Sequence, residues 1–228
     1  MNKVWMLFLG MIMLLSCAES AEESNQVIDE SGKLVEGVSR NFYENGKLRN
    51  EVPVKEGKRH GLAKEYYENG NLAAAIEYKN DQKEGLSQWY YQDGILYQEA
   101  QFVGNKKHGL EKKFYNTGEL MAVLRWKEGE ALPGLVEYQQ NGKEIKQPTI
   151  EVSGRGTVKI RLSNGARNVQ FYRGEMANDE PLNTEKHIAL DTYDGVATVS
   201  LNNESLHIIA VRRSNMKNPQ ILRTTYQP

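Results

Sequence analysis

Cysteine is almost missing from this chain. One thiol, Cys17, stands in 228 residues, so no disulfide can form within the molecule. Charge of one sign is missing too. The 29 basic and 30 acidic side chains leave a net charge of −1, which provides no basic field for nucleic acid. No apolar run reaches the ~20 residues that a membrane-crossing helix needs. The chain carries no G-x-S-x-G, no G-x-x-x-x-G-K-S/T, no H-E-x-x-H and no C-x-x-C. The expectation is a protein that is not an enzyme and holds no cofactor or metal. Phenylalanine is scarce, with five against twelve tyrosines. Half-buried aromatics of that kind suit a pleated sheet.

What the chain does have begins at its N terminus. Lys3 is followed by an apolar run from Val4 to Leu15, short for a membrane span but the right length for a signal-peptide core. The run ends in Leu14-Leu15-Ser16-Cys17, which resembles the bacterial lipobox. That resemblance implies cleavage before Cys17, diacylation of its thiol and a lipid anchor in the cell envelope. The outer membrane is the expected location, with the periplasmic and surface sides both open. The other reading is an ordinary cleaved signal with Cys17 close to the cut. Residues 18–36 then carry Glu19, Glu22, Glu23, Asp29 and Glu30 with no basic residue before Lys33. So polar a stretch reads as a flexible tether, and its acidity resembles the surface-export signal of some Gram-negative lipoproteins.

The strongest signal is internal repetition. Gly46, Gly70, Gly94, Gly118 and Gly142 recur every 24 residues. Gly37, Gly61, Gly85 and Gly109 keep the same period. So do Tyr43, Tyr67, Tyr91 and Tyr115, and Leu48, Leu72, Leu96 and Leu120. A period this short marks a supersecondary unit that buries its core by stacking on its neighbours. Each copy reads as a β-hairpin. In the second, Leu62 to Tyr67 is a strand, Glu68-Asn69-Gly70 a three-residue loop with Gly70 left-handed, and Leu72 to Lys79 the return. This loop sets Tyr66 opposite Leu72 and Leu62 opposite Ile76, gathering Leu62, Tyr66, Leu72, Ile76 and Tyr78 on one apolar face.

The glycine, tyrosine and leucine columns over residues 37–146 resemble the variant form of the MORN repeat. The resemblance implies an elongated, twisted antiparallel sheet acting as an interaction module. It also implies a second possibility, an antitoxin or immunity-type protein, against which an export signal argues. The fifth copy departs from the pattern, with Glu144 in the leucine column, and reads as a capping half-repeat.

After Pro148 the period vanishes. Residues 147–228 read as seven short strands: 149–153, 157–162, 169–172, 188–190, 197–201, 206–211 and 220–225. That pattern suggests a small β-sandwich resembling immunoglobulin-like or transthyretin-like accessory domains. The fold class expected for the whole chain is therefore all-β: an elongated antiparallel sheet of hairpin repeats followed by the sandwich. The membrane, through the anchor, and a protein or envelope component are the expected partners. Tyr43, Tyr67, Tyr91 and Tyr115 are the expected contact residues, spaced roughly 10 Å apart along one face. The alternative is that these rings cover their own backbone. His60 and His108 occupy equivalent turns about four strands, or roughly 19 Å, apart, too far for one metal ion.

Overall fold

A computed structural model describes residues 26–228. The expected signal segment, Cys17 and the first part of the expected tether lie outside the described residues. No helix occurs among the described residues.

Four hairpins follow one another in a meander, each strand pairing with the next in sequence. They are Leu34–Phe42 with Leu48–Lys55, Gly61–Tyr66 with Leu72–Lys79, Gln82–Tyr90 with Leu96–Val103, and Lys106–Phe114 with Leu120–Lys127. The sheet begins earlier than the sequence boundary at residue 37. Val27–Ile28 pairs with the first hairpin at Glu36 and Leu34, so the end of the supposed tether is part of the sheet.

The hairpin loops have a local chemical cause. In the second, Gly70 N–H donates to Tyr67 O and Tyr67 N–H to Asn71 O, both at 2.8 Å. This encloses a three-residue loop with Gly70 at φ +96°, a conformation that glycine adopts without a Cβ clash. The Asn69 carboxamide accepts from Asn71 N–H at 2.9 Å, and Asn45 and Asp93 repeat the contact. Such side-chain capture of a nearby amide is why Asn and Asp favour these sites.

Beyond Tyr66 and Leu72, the register departs from expectation. Tyr66 faces Leu72, but Glu65 faces Ala74, leaving Ala73 as an extra residue. The same β-bulge falls at Arg49, Tyr97 and Met121. Because side chains alternate, one extra residue changes the face of everything beyond it. Leu62 therefore pairs with Glu77 and not Ile76, and the single apolar face divides between the two sides of the sheet. One side, here the alanine face, carries Ala63, Ala74, Ile76, Ser87, Ala100 and Leu124. The other, the leucine face, carries Leu62, Leu86 and Leu110, which are 43%, 41% and 49% exposed.

The second glycine series does not supply the turns between repeats. The turns between repeats are the two-residue pairs Glu56-Gly57, Asn80-Asp81, Gly104-Asn105 and Glu128-Gly129, all with positive φ at both positions. That is the type I′ geometry whose twist matches the flanking strands. Gly85 and Gly109 lie inside strands, at irregularities where pairing steps from Ile76↔Ser87 to Tyr78↔Lys83 and from Ala100↔Glu111 to Phe102↔Lys107.

The fifth copy pairs Val136–Glu137 with Ala122 and Val123 and keeps the same loop bonding around Gly142. Its return arm makes a single bridge, Tyr138↔Glu144, before leaving the sheet. All seven expected C-terminal strands are present, with Thr192–Tyr193 as an additional short strand. They form two four-stranded sheets. Val158, Ile160, Leu162, Phe171, Ile208 and Ala210 are fully buried between them. Alternation along Thr157–Leu162, exposed then buried throughout, is the pattern of a strand with one face on a core.

Candidate binding surfaces of the repeat sheet

The tyrosine row has a role within the sheet. Tyr43 Oη donates to Tyr66 O, Tyr67 to Tyr90 O, Tyr91 to Phe114 O and Tyr115 to Tyr138 O, at 2.6, 2.6, 3.0 and 2.7 Å. Each phenol therefore reaches a main-chain carbonyl one repeat further on. All four rings are partly buried, and burial pushes the Tyr91 phenol above its ordinary value. The proton of each hydroxyl is thus committed within the sheet. Replacing Tyr67 and Tyr91 together by phenylalanine should cost about 1 kcal/mol per lost bond. Faster hydrogen exchange confined to residues near 90 and 114 is the expected signature, and unchanged stability would show the ladder to be incidental.

Sequence reasoning did not anticipate the alanine face. Small residues run across its middle, with larger ones on either side. The cations of the inter-repeat turns fold onto its aromatic rings: Arg59 over Tyr78 at 4.3 Å, Lys83 over Phe102 at 5.3 Å and Lys107 over Trp126 at 4.7 Å. These pairs recur with the repeat; a cation on a ring contributes about 0.5–1 kcal/mol where exposed and more where desolvated, and Phe102 is buried while Tyr78 and Trp126 are partly so. The turn lysines thus serve the sheet itself. Between the first and second hairpins the face opens into a groove of about 160 Å³ lined by Asn50, Val52, Arg59, Glu65, Ile76 and Tyr78, among others. Asp81 holds Arg59 in place by accepting from its main-chain N–H and its Nε. Those two bonds keep the Asp81 carboxyl below the usual carboxylate range.

At its other end the alanine face is covered by the sandwich. Glu137, 3% exposed, accepts from Ser214 Oγ at 2.5 Å and from Asn218 Nδ2 at 2.8 Å. Lys113 Nζ donates to Asn218 Oδ1 at 2.7 Å, and burial pushes this ammonium below its ordinary pKa. Met176, Ile209 and Ile221 add a small apolar cluster with Ala131 packed against it.

Three of the histidines, His60, His187 and His207, make polar contacts within the protein. His60 lies 3.4 Å from the Asn80 carboxamide. His187 is buried, accepting from Asn183 N–H at Nδ1, so its Nε2 carries the proton donated to Glu175 O. His207 lies between Thr225 Oγ1 and the Glu175 carboxylate, but Glu175 is largely solvent-exposed. Among the described residues no group of three or more His, Cys, Asp or Glu side chains could hold a metal ion. No helix among them is long and apolar enough to cross a membrane.

The MORN repeat variant matches residues 35–56, 59–80, 83–103 and 107–128. These four matches begin 24 residues apart and each covers one hairpin, so the repeat sheet is similar to that family from Val35 to Glu128. No curated protein matches the chain.

Proposed function

We propose that this protein is a non-catalytic binding module of the bacterial cell envelope, held at the outer membrane by lipid on Cys17. Its repeat sheet takes an extended segment of a protein partner in the alanine-face groove. The groove itself carries this reading. It is an apolar floor of Ala63, Ala74 and Ile76, rimmed by the Arg59 guanidinium and the Glu65 carboxylate, on the part of the face that the sandwich leaves open. Apolar depressions with a few convergent polar groups are the usual form of a binding site. The tyrosine ladder assists indirectly by fixing the register of the hairpins that line the groove.

A photo-crosslinking residue at Ile76 should yield one adduct of defined mass in intact cells. The same residue at Tyr193, 88% exposed on the sandwich, should not. Tyr78→Ser should remove the adduct. Cys17→Ser should abolish fatty-acid incorporation and release the chain from the membrane fraction. An identical adduct from both positions would sink the groove, and a Cys17→Ser chain that stays on membranes as its parent does would sink the anchor.

A further inference from the structure

The leucine face is exposed, and its charges are arranged so that the face can meet itself. Cross-strand pairing runs a single row of side chains over eight strands. Ala75 and Gln88 face each other at the centre. On one side of them come Lys64 and then Glu51; on the other come Glu99 and then Lys112. With Arg40 beyond Glu51 and Val123 beyond Lys112, the row therefore reads plus, minus, plus, neutral, neutral, minus, plus, neutral. Turned end for end about its centre, the four inner charges lie opposite their complements, Lys64 over Glu99 and Glu51 over Lys112, while Arg40 at the margin comes over Val123 and keeps Glu51 as its partner within the sheet.

We propose that two copies of this chain pack leucine face to leucine face, about a two-fold axis parallel to the strands at the Ala75–Gln88 centre. Such an axis reverses the order of strands but keeps each stripe along the sheet over its own kind, the requirement of an isologous interface. The other in-plane axis, running across the strands, would lay Glu51 on Glu51 and Lys64 on Lys64. Like charges so placed cost several kcal/mol, so charge alone selects the first arrangement.

The apolar stripes on either side of the row fit the same operation. Leu62, Leu86 and Leu110 stand on alternate strands, separated by strands bearing Glu77 and Gln101. Reversal brings each leucine of one copy over a strand that lacks one in the other, so the two sets interleave. At the hairpin end, the pairs Phe42↔Leu48, Tyr66↔Leu72, Tyr90↔Leu96 and Phe114↔Leu120 alternate large and medium side chains. Reversal places every ring over a leucine. Ala75, 8% exposed, leaves the centre flat for the closest approach. Lys64 and Glu51 are already 3.3 Å apart, and Lys112 and Glu99 2.9 Å. Contact would join these pairs into two four-charge networks.

The area is sufficient. Eight strands at about 4.8 Å, with about five residues of each at roughly 3.3 Å, give on the order of 600 Å² per copy. The total of about 1,200 Å² meets the lower bound for a specific interface. Two twisted sheets facing each other would pack about 10 Å apart with strands near 30°.

The test exchanges charges while keeping the Glu51–Lys64 and Glu99–Lys112 pairs inside each sheet, although the first exchange also removes the acceptor of Arg40 and of the Tyr66 hydroxyl. One variant carries Glu51→Lys with Lys64→Glu, the other Glu99→Lys with Lys112→Glu. Native mass spectrometry of the full chain should find the parent dimeric. Each variant alone sets like charge on like and should dissociate at least ~100-fold more readily. Mixed together, the two variants restore opposite charges at all four positions and should form a one-to-one heterodimer. Leu86→Glu, a change at an open surface, should also give a monomer with an unaltered circular dichroism spectrum. A monomeric parent, variants that remain dimers, or folded variants that do not associate on mixing would each overturn the proposal. Should the exchanged chains fail to fold, Leu86→Glu decides alone, and a dimer there overturns it.

Discussion

Glu137→Ala should destabilise the molecule by about 3–5 kcal/mol, the range for removing one partner of a buried charged cluster. The Glu137 carboxylate is the acceptor for both Ser214 and Asn218, and Asn218 in turn receives Lys113. Without the carboxylate, two buried donors lose their acceptor and a half-buried ammonium keeps Glu111 but loses the second of its nearby counter-charges. The loss falls at the seam between the repeat sheet and the sandwich. Denaturant unfolding should therefore change from one transition to two, because the parts are then joined by chain, a small apolar cluster and the outlying bonds of Arg125 and Lys127 to Asn178 and Asp179. Glu137→Gln keeps an acceptor of the same shape and should lose less. A Glu137→Ala chain that unfolds in one transition at the parent midpoint would show that the seam is held by something else.

Phe171→Ala should have an effect of similar size with the opposite distribution. Phe171 is fully buried at the centre of the sandwich core, beside Ile160, Ile208 and Ala210. Truncating a core phenylalanine costs about 3–5 kcal/mol, the lost transfer energy plus the cavity left behind. The repeat sheet draws its stability from contacts between neighbouring hairpins, so residues 61–103 should keep their hydrogen-exchange protection while residues 150–226 lose theirs. Uniform loss across the chain would mean that the sheet does not stand without its C-terminal partner. Of the two substitutions, only Glu137→Ala acts on the junction, and comparing them separates coupling from local stability.

The hairpin period, the three-residue loop and the left-handed Gly70 were legible because each rests on a residue type with one dominant physical use. Glycine supplies positive φ, Asn captures the following amide, and leucine marks the strand that returns. The bulges were not legible for the converse reason. The extra residue is Arg49, Ala73, Tyr97 or Met121, four chemically unlike side chains at equivalent positions. Nothing in their chemistry announces that they go unpaired. Yet that one residue moves Leu62 away from Ile76 and divides the expected apolar face between two sides. The in-strand glycines Gly61, Gly85 and Gly109 were the available hint, since an isolated glycine in a strand often marks an irregularity. The junction was invisible for another reason: Glu137 meets Ser214 and Asn218 across 77 and 81 residues of chain, and no local pattern encodes such a separation. The groove depends on the bulges and was hidden with them.

The tyrosine ladder makes the sheet extensible. Each phenol is satisfied by a carbonyl in the following copy, from Tyr43 through Tyr115, and the last carbonyl belongs to Tyr138 in the shortened fifth copy. At Gln139 the phenol is missing, so the ladder hands nothing onward. Duplicating one 24-residue unit would insert both a new donor and a new acceptor and leave every other bond as it was. Gene duplication or loss can thus lengthen or shorten this protein like links in a chain, in increments of roughly 10 Å. The N-terminal end of the sheet and the sandwich would move apart or together by that step, with neither having to change a residue.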